Sequence, residues 1–307
     1  MYLSVIISTH NPHPERLWRT IESINSQTLS IAEWELILVD NASTDFSTIE
    51  QLGLPLPKNS NTVREDRLGL SFGRLAGIRR SCGDILVFVD DDNVISEQYL
   101  EITQNVFERI PGLGLGGGRS LPEWERGDPD PWVSESFANL ALRDFGEAEL
   151  LGSSTMPPTY PAWAPIGAGM VARKDALASW ITECVQDGAP TGRRGRKLSS
   201  GEDCDIVMYA LADGWQVGYF PDLILTHLIP SSRLTRTYLG RLNYEIAKSW
   251  VQVLARHGVR PWPPAARWSV PYRKARAYCR YRAWAGPAQY IRWMGACGQF
   301  EGRATLR

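Results

Sequence analysis

The 307 residues are 43% hydrophobic and include 12 Trp, enough for a sizeable core in one large domain or in a domain with an appendage. A formal net charge of −1 excludes a polyelectrolyte, and five scattered cysteines without a CxxC pair argue against a disulfide framework or a cysteine zinc site. No apolar run approaches the roughly 20 residues that span a bilayer, and no basic, apolar leader precedes the first apolar run at Leu3. The expectation is a cytoplasmic chain, or one peripheral on the cytoplasmic face of a membrane.

Leu3 to Thr9 is apolar and β-branched and predicts a buried strand. His10 to Pro14 turns into a helix with Leu17, Ile21 and Ile24 on one face. Trp34 to Val39 predicts a second buried strand, which ends in Asp40, and a Pro/Asn-rich connector follows. Leu70 to Ser81 predicts a short helix that carries Arg74. The apolar run Ile85 to Val89 then ends abruptly in Asp90, Asp91 and Asp92.

That acidic end organises the chain. In an extended strand Asp90 and Asp92 point the same way, roughly 7 Å apart, and Asp91 faces away as the more structural member. Two charges at that spacing repel by about 2 kcal/mol at an effective dielectric near 20. Something positive belongs between them, and a hard divalent cation that arrives with a substrate's phosphates is the economical candidate. A solvated acidic turn is the plain alternative.

Gln98 to Ile110 predicts a helix. Gly112, Gly114 and Gly117 match GxGxxG by letter, but the run follows a helix and leads to Pro122, which is the wrong context for a dinucleotide site. A glycine-rich strand passing close to a ligand is the better reading. Residues 120–165 predict irregular structure lining a cleft. Pro165 to Ala172 predicts a strand, and Lys174 to Val185 a helix. The Gly/Ser-rich stretch 187–201 carries Arg193, Arg194, Arg196 and Lys197 and predicts a mobile loop able to close on an anion. Glu202 and Asp203 open a further helix, where acidic residues also favour the dipole. Trp215 to Phe220 and Leu223 to Leu228 predict two strands, the second carrying His227, and a helix is expected from Thr235 to Ala255. Strands alternating with helices predict a mostly parallel sheet flanked by helices, with ligands at the carboxyl ends of the strands.

Five blocks in order resemble the family 2 glycosyltransferases: Ser4 to Asn11, Val39 to Asp45, Gly69 to Gly77 with Arg74, Gly83 to Asp92, and Gly201 to Asp203. The resemblance covers roughly residues 3–230. It implies a GT-A fold for residues 1–230, with 231–307 as a helical, basic and aromatic extension. It implies an inverting transfer from a nucleotide-sugar donor, with UDP as the expected nucleotide, to a glycan, polysaccharide or lipid-linked acceptor, aided by Mn²⁺ or Mg²⁺. Asp40 would bond the base, with Thr9 in the same pocket and Arg74 near the nucleotide. The family's Asn after that Arg is Leu75 here and is not carried over. Asp90 and Asp92 would be the DxD motif, Asp90 on the ribose or a metal-bound water and Asp92 on the metal; Asp91 is grouped with the nucleotide-sugar residues although it faces the other way, and His227 stands where relatives carry a metal- or diphosphate-contacting His. Asp203 would be the general base, with Glu202 beside it in the acceptor site.

Two other readings stay open. A nucleotidyltransferase on a similar sheet lacks support, because His10-Asn11-Pro12 stands where a Gly-rich, cationic phosphate loop is needed. A catalytically silent sugar-binding protein would not be expected to keep Asp40, Asp90, Asp92 and Asp203 together. Beyond Arg260 the chain is basic, with Glu301 its one acid, and interleaves Arg with Trp and Tyr. That composition suits a membrane surface, or packing on the acidic remainder. No nucleic-acid motif accompanies it.

Overall fold

The computed structural model describes residues 1–44, 49–153, 159–186 and 201–306. The first half alternates strand and helix: β1 (Leu3–Thr9), α1 (Pro14–Asn25), β2 (Trp34–Asn41), β3 (Ser60–Glu65), α2 (Leu70–Arg80) and β4 (Ile85–Asp90). A two-residue turn leads to β5 (Asn93–Ile95), α3 (Tyr99–Arg109) and the long β6 (Leu113–Trp124). Then come β7 (Leu150–Gly152), β8 (Met170–Arg173), α4 (Ala178–Gln186), α5 (Glu202–Ala212) and β9 (Gln216–Ile229). Three helices close the chain: α6 (Arg236–Arg256), α7 (Val270–Arg280) and α8 (Pro287–Thr305).

The nine strands form one sheet in the order β3-β2-β1-β4-β8-β6-β9-β5, with β7 also on β9. Pairings among β1 to β4 are all parallel. Beyond β4 the sheet is mixed: β8 is antiparallel to β4 and β6, whereas β6 and β9 are parallel. Strand alternation sends side chains to two cores. Val5, Leu36, Val87 and Val89 pack with Leu17, Ile21 and Phe107 on one face. Ile6, Ile37, Leu86 and Phe88 pack with Leu75, Trp180, Ile206 and Val207 on the other. A third cluster joins Leu239, Leu242 and Ile291 of the terminal helices to Val133 and Leu140.

Three expectations are revised. β3 falls in the expected connector; it is an edge strand with no buried residue, so it carries no apolar signal. The two strands expected over 215–228 are one, β9, interrupted in its pairing. Gly117 pairs with Tyr219 and Arg119 with Ile224, so Gly118 alone faces Phe220 to Leu223. The glycine-rich run is a strand, but its glycines clear the protein's own neighbours rather than a ligand. A Cβ on Gly118 would lie 2.0 Å from the Leu223 carbonyl oxygen, and one on Gly114 would lie 2.5 Å from the Trp215 Cβ.

Candidate active site

At the carboxyl ends of β1 and β4 lies a cleft of about 430 Å³. Thr9, Arg74, Asp90, Asp91, Asp92, Glu202, Asp203 and His227 all line it. The parallel pairing aligns Ser8 with Asp90, and Thr9 with Asp40 on the other side.

The acidic block departs from simple strand alternation. β4 ends at Asp90, and Asp91 and Asp92 form a turn into β5. All three carboxylates therefore reach the cleft, and the expected outward turn of Asp91 does not occur. The Thr9 hydroxyl donates to Asp91. Burial, together with the neighbouring Asp92, raises the Asp91 carboxyl to about 7.

Asp92 is buried, and three side chains from the β5–β9 side meet it, the first being Asn93, whose Nδ2 donates to Asp92 Oδ1 at 3.3 Å. Antiparallel pairing sets Asn93 opposite His227. His227 Nε2 lies 3.5 Å from Asp92 Oδ2, and Arg233 Nη1 lies 2.9 Å from the same oxygen. Arg233 Nη1 is also 3.2 Å from His227 Nε2. The positive partner of Asp92 is thus a residue the sequence reading passed over. Arg233 stands six residues beyond His227, just past the end of β9.

The donor set can be tested against a divalent cation. Asp92, in the turn before β5, offers an oxygen and His227 of β9 a nitrogen, a combination that suits Mn²⁺ and leaves several positions for phosphate and water oxygens. Among the described residues no group of three or more His, Cys, Asp or Glu is arranged as a metal site. Asp92 and His227 fit a cation that would be completed by phosphate and water oxygens.

Arg74 is the strut of the site. It is 3% exposed and points inward from α2. Its guanidinium donates to Glu202 Oε1 at 3.0 Å, to the Gly167 carbonyl at 3.0 Å and to Asp90 Oδ1 at 3.3 Å. Glu202 Oε2 accepts from the Ser71 hydroxyl at 2.9 Å. Both Glu202 oxygens are thereby engaged, and burial lifts its carboxyl to about 7 against the pull of Arg74. Asp203, the next residue, is only half-buried. Its Oδ2 accepts the Gly167 N–H at 3.3 Å and its Oδ1 the Cys204 N–H at 2.9 Å. A fixed Glu202 and a reachable Asp203 at a helix N-terminus are suited to different tasks.

Asp40 does not line the cleft. Its carboxylate accepts the Ser43 N–H at 3.1 Å and pairs with Arg64. The neighbouring Asn41 does line it, and Asn41 Oδ1 accepts the Gly69 N–H at 2.8 Å. That bond folds residues 65–69 over the end of β2. Tyr160, Tyr238, Leu242 and Ile246 complete the wall, the last three from residues placed in the C-terminal extension. The cleft adjoins a groove of about 460 Å³ that shares Ala138, Ala141 and Ile166 and includes Leu121, Arg143 and Phe145. Residues 165–170 line the cleft through Ile166, Gly167 and Ala168, whereas the glycine-rich stretch 112–119 does not. The loop cations Arg193, Arg194, Arg196 and Lys197 lie outside the described residues.

Comparison with known proteins matches residues 4–138 to the model "Glycosyl transferase family 2" and residues 85–306 to "Glycosyl transferase family group 2". The chain belongs to the family 2 glycosyltransferases. Curated relatives include a glucosyl-dolichyl phosphate glucuronosyltransferase of Haloferax volcanii, 25% identical over 150 residues that make up 48% of each chain. An N-acetylglucosaminyltransferase of Bradyrhizobium diazoefficiens is 23% identical over 248 residues, 77% of this chain and 46% of that protein. The poly(ribitol-phosphate) beta-N-acetylglucosaminyltransferase TarP of Staphylococcus aureus is 32% identical over 140 residues, 41% of this chain and 42% of that protein. The chain spans about half the length of the curated relatives it matches. A crystal structure of residues 1–349 of S. aureus TarS superposes with a TM-score of 0.53 at 15% identity, covering 99% of this chain and 90% of that one. This likeness concerns the fold, and it agrees with the expected GT-A architecture. The family blocks expected from the sequence thus fall in a family 2 glycosyltransferase, and each of them supplies residues to the cleft described above, the Val39 to Asp45 block through Asn41 rather than Asp40.

Proposed function

We propose that this family 2 enzyme transfers a sugar from a nucleotide-diphosphate donor, UDP foremost, to a hydroxyl of a glycan, polysaccharide or lipid-linked acceptor, with inversion at the anomeric carbon. One observation carries the reading. A single cleft gathers the carboxylates at the end of β4, His227 from β9, and the Glu202-Asp203 pair from the first turn of α5.

Asp92 and His227 would hold a divalent cation, Mn²⁺ or Mg²⁺. Such a cation, when bound, neutralises charge on the departing diphosphate. Asp203 takes the proton of the acceptor hydroxyl, a role that typically contributes about 10²–10⁴-fold. Its half-buried carboxylate, steadied by the Gly167 and Cys204 N–H groups, suits that task. Glu202 bears on the acceptor side by holding the start of α5 against Arg74 and Ser71. Thr9, Asn41 and the Asp90–Asp91 pair face the nucleotide, and Asp40 acts from behind them by shaping the turn after β2. With one base and one displacement, no carboxylate is needed as a nucleophile.

The stereochemistry tests this reading. In slow hydrolysis of the donor followed by proton NMR, the first sugar released should carry the anomeric configuration opposite to that of the donor. Release with retained configuration would rule out a single displacement assisted by Asp203.

A further inference from the structure

α7 leaves most of its surface in water. Among its 11 residues only Val270 and Ala277 are buried. Lys274 anchors the inner side: its carbonyl accepts the Trp293 indole N–H at 3.0 Å, and its ammonium pairs with Glu301. On the outer side Tyr272, Arg276 and Arg280 stand four apart on one helical face, and Trp268 precedes them in the 3₁₀ turn (Arg267–Ser269) that leads into α7. Trp268 is 84% exposed and Tyr272 69%.

The turn after the helix extends this face. Arg282 takes a left-handed backbone conformation, φ 51°, and the chain reverses. Trp284 comes back to Tyr278, with ring centroids 5.6 Å apart, and stays 58% exposed. Three large aromatics thus face water on one helix and the turns at its two ends, and such clustering marks an interaction surface. Among the described residues Arg276, Arg280 and Arg282 have no carboxylate partner; Glu301, the one acid beyond Arg260, is taken by Lys274. None of the six exposed residues lines the cleft or the groove.

We propose that α7 and the turn after it dock on the surface of an anionic lipid bilayer. Trp and Tyr are the side chains that settle at the headgroup level, with an apolar body and a polar tip. Unpaired arginines beside them are drawn to anionic headgroups. No helix among the described residues is long and apolar enough to cross a membrane, so the contact is interfacial. α7 packs on α8, α8 on α6, and α6 lines the cleft. A bilayer under α7 therefore fixes the orientation of the cleft relative to lipid-borne acceptors. The surface stands independently of the chemistry in the cleft.

Vesicle flotation of the full chain tests it, with vesicles of phosphatidylcholine alone and of phosphatidylcholine mixed equally with phosphatidylglycerol. The protein should float with the mixed vesicles and stay behind with phosphatidylcholine, and added salt should weaken the binding. Each Arg→Gln change at 276, 280 and 282 should cost about fivefold in partitioning, so the triple variant loses about a hundredfold. A Trp268→Ser/Tyr272→Ser/Trp284→Ser variant should detach as well. All six side chains lie on the surface, so thermal unfolding should show both variants folded. A wild type that stays behind with both vesicle types, or binds both equally, overturns the proposal. So do variants that bind as the wild type does. Self-association without vesicle binding would assign the face to a second copy and overturn it equally.

Discussion

Arg233 Nη1 lies 2.9 Å from Asp92 Oδ2, on the carboxylate that the acidic block offers to a cation. The same nitrogen faces His227 Nε2 at 3.2 Å. A divalent ion held by Asp92 and His227, as proposed, would compete with this guanidinium for them. Replacing Arg233 by Met should tighten Mn²⁺ binding in the absence of nucleotide by about tenfold, the equivalent of 1.4 kcal/mol. Nucleotide-diphosphate binding should weaken in the same variant, because a cation is lost beside the phosphates. Titration of free Mn²⁺ by its paramagnetic signal measures the first effect. An unchanged Mn²⁺ affinity would mean that the two cations do not share Asp92.

The Arg74–Glu202 pair has both side chains only 4% exposed. Removing one partner of a buried pair leaves an uncompensated charge and costs about 3–5 kcal/mol. Arg74→Met should lower the stability to urea by that amount and detach the start of α5 from the Gly167 carbonyl. Arg74→Met/Glu202→Gln should recover part of the loss. A double variant no more stable than Arg74→Met would show that the pair is not coupled.

Glu202 also sets a pH dependence. Its carboxyl stands at about 7 in the folded chain against an ordinary value of 4.5, with burial as the largest cause. Between those values the folded state holds a proton that the unfolded state has lost. Stability contributed by this group is therefore full below the lower value and declines as pH rises towards the upper one, by at most about 3 kcal/mol. Asp91, also raised to about 7, acts in the same direction. Urea midpoints should fall from about pH 5 to about pH 8, and Glu202→Gln should flatten the slope. An identical slope in that variant would contradict the assignment.

The glycine-rich run offers a contrast in one stretch. A Cβ on Gly118 would strike the Leu223 carbonyl oxygen at 2.0 Å and the Phe220 carbonyl oxygen at 2.5 Å, whereas one on Gly112 meets nothing closer than 3.4 Å. Gly118→Ala should destabilise by about 3 kcal/mol, because backbone rather than a flexible side chain must move. Gly112→Ala should be close to neutral by thermal unfolding. Equal behaviour of the two would show that β6 and β9 do not pack as described.

What the sequence made legible depended on how each signal arises. β1, β2 and β4 announce themselves because both faces are buried, which leaves runs such as Leu3 to Thr9 and Ile85 to Val89 with little polarity. β3 was not legible, since an edge strand with no buried residue has no such run. The acidic block was found, but the orientation of Asp91 was not, because alternation holds only while the strand continues, and β4 stops at Asp90. Arg233 was missed for a different reason. Nothing local marks it, and only the pairing of β5 with β9 brings its turn to Asp92. Asp40 illustrates the reverse case, a residue singled out by its place at a strand end whose charge is taken up by Arg64.

The most direct test of the transfer reading is nucleotide-diphosphate release from a panel of UDP-, GDP- and dTDP-sugars with Mn²⁺ or Mg²⁺. Wild type would run beside Asp92→Ala and Asp203→Asn. The expected result is slow, metal-dependent cleavage of one donor, lost in Asp92→Ala. Asp203→Asn should still bind that donor but transfer the sugar about 10²–10⁴-fold more slowly. No donor bound or cleaved with either metal would contradict a nucleotide-sugar transferase, as would cleavage indifferent to both substitutions.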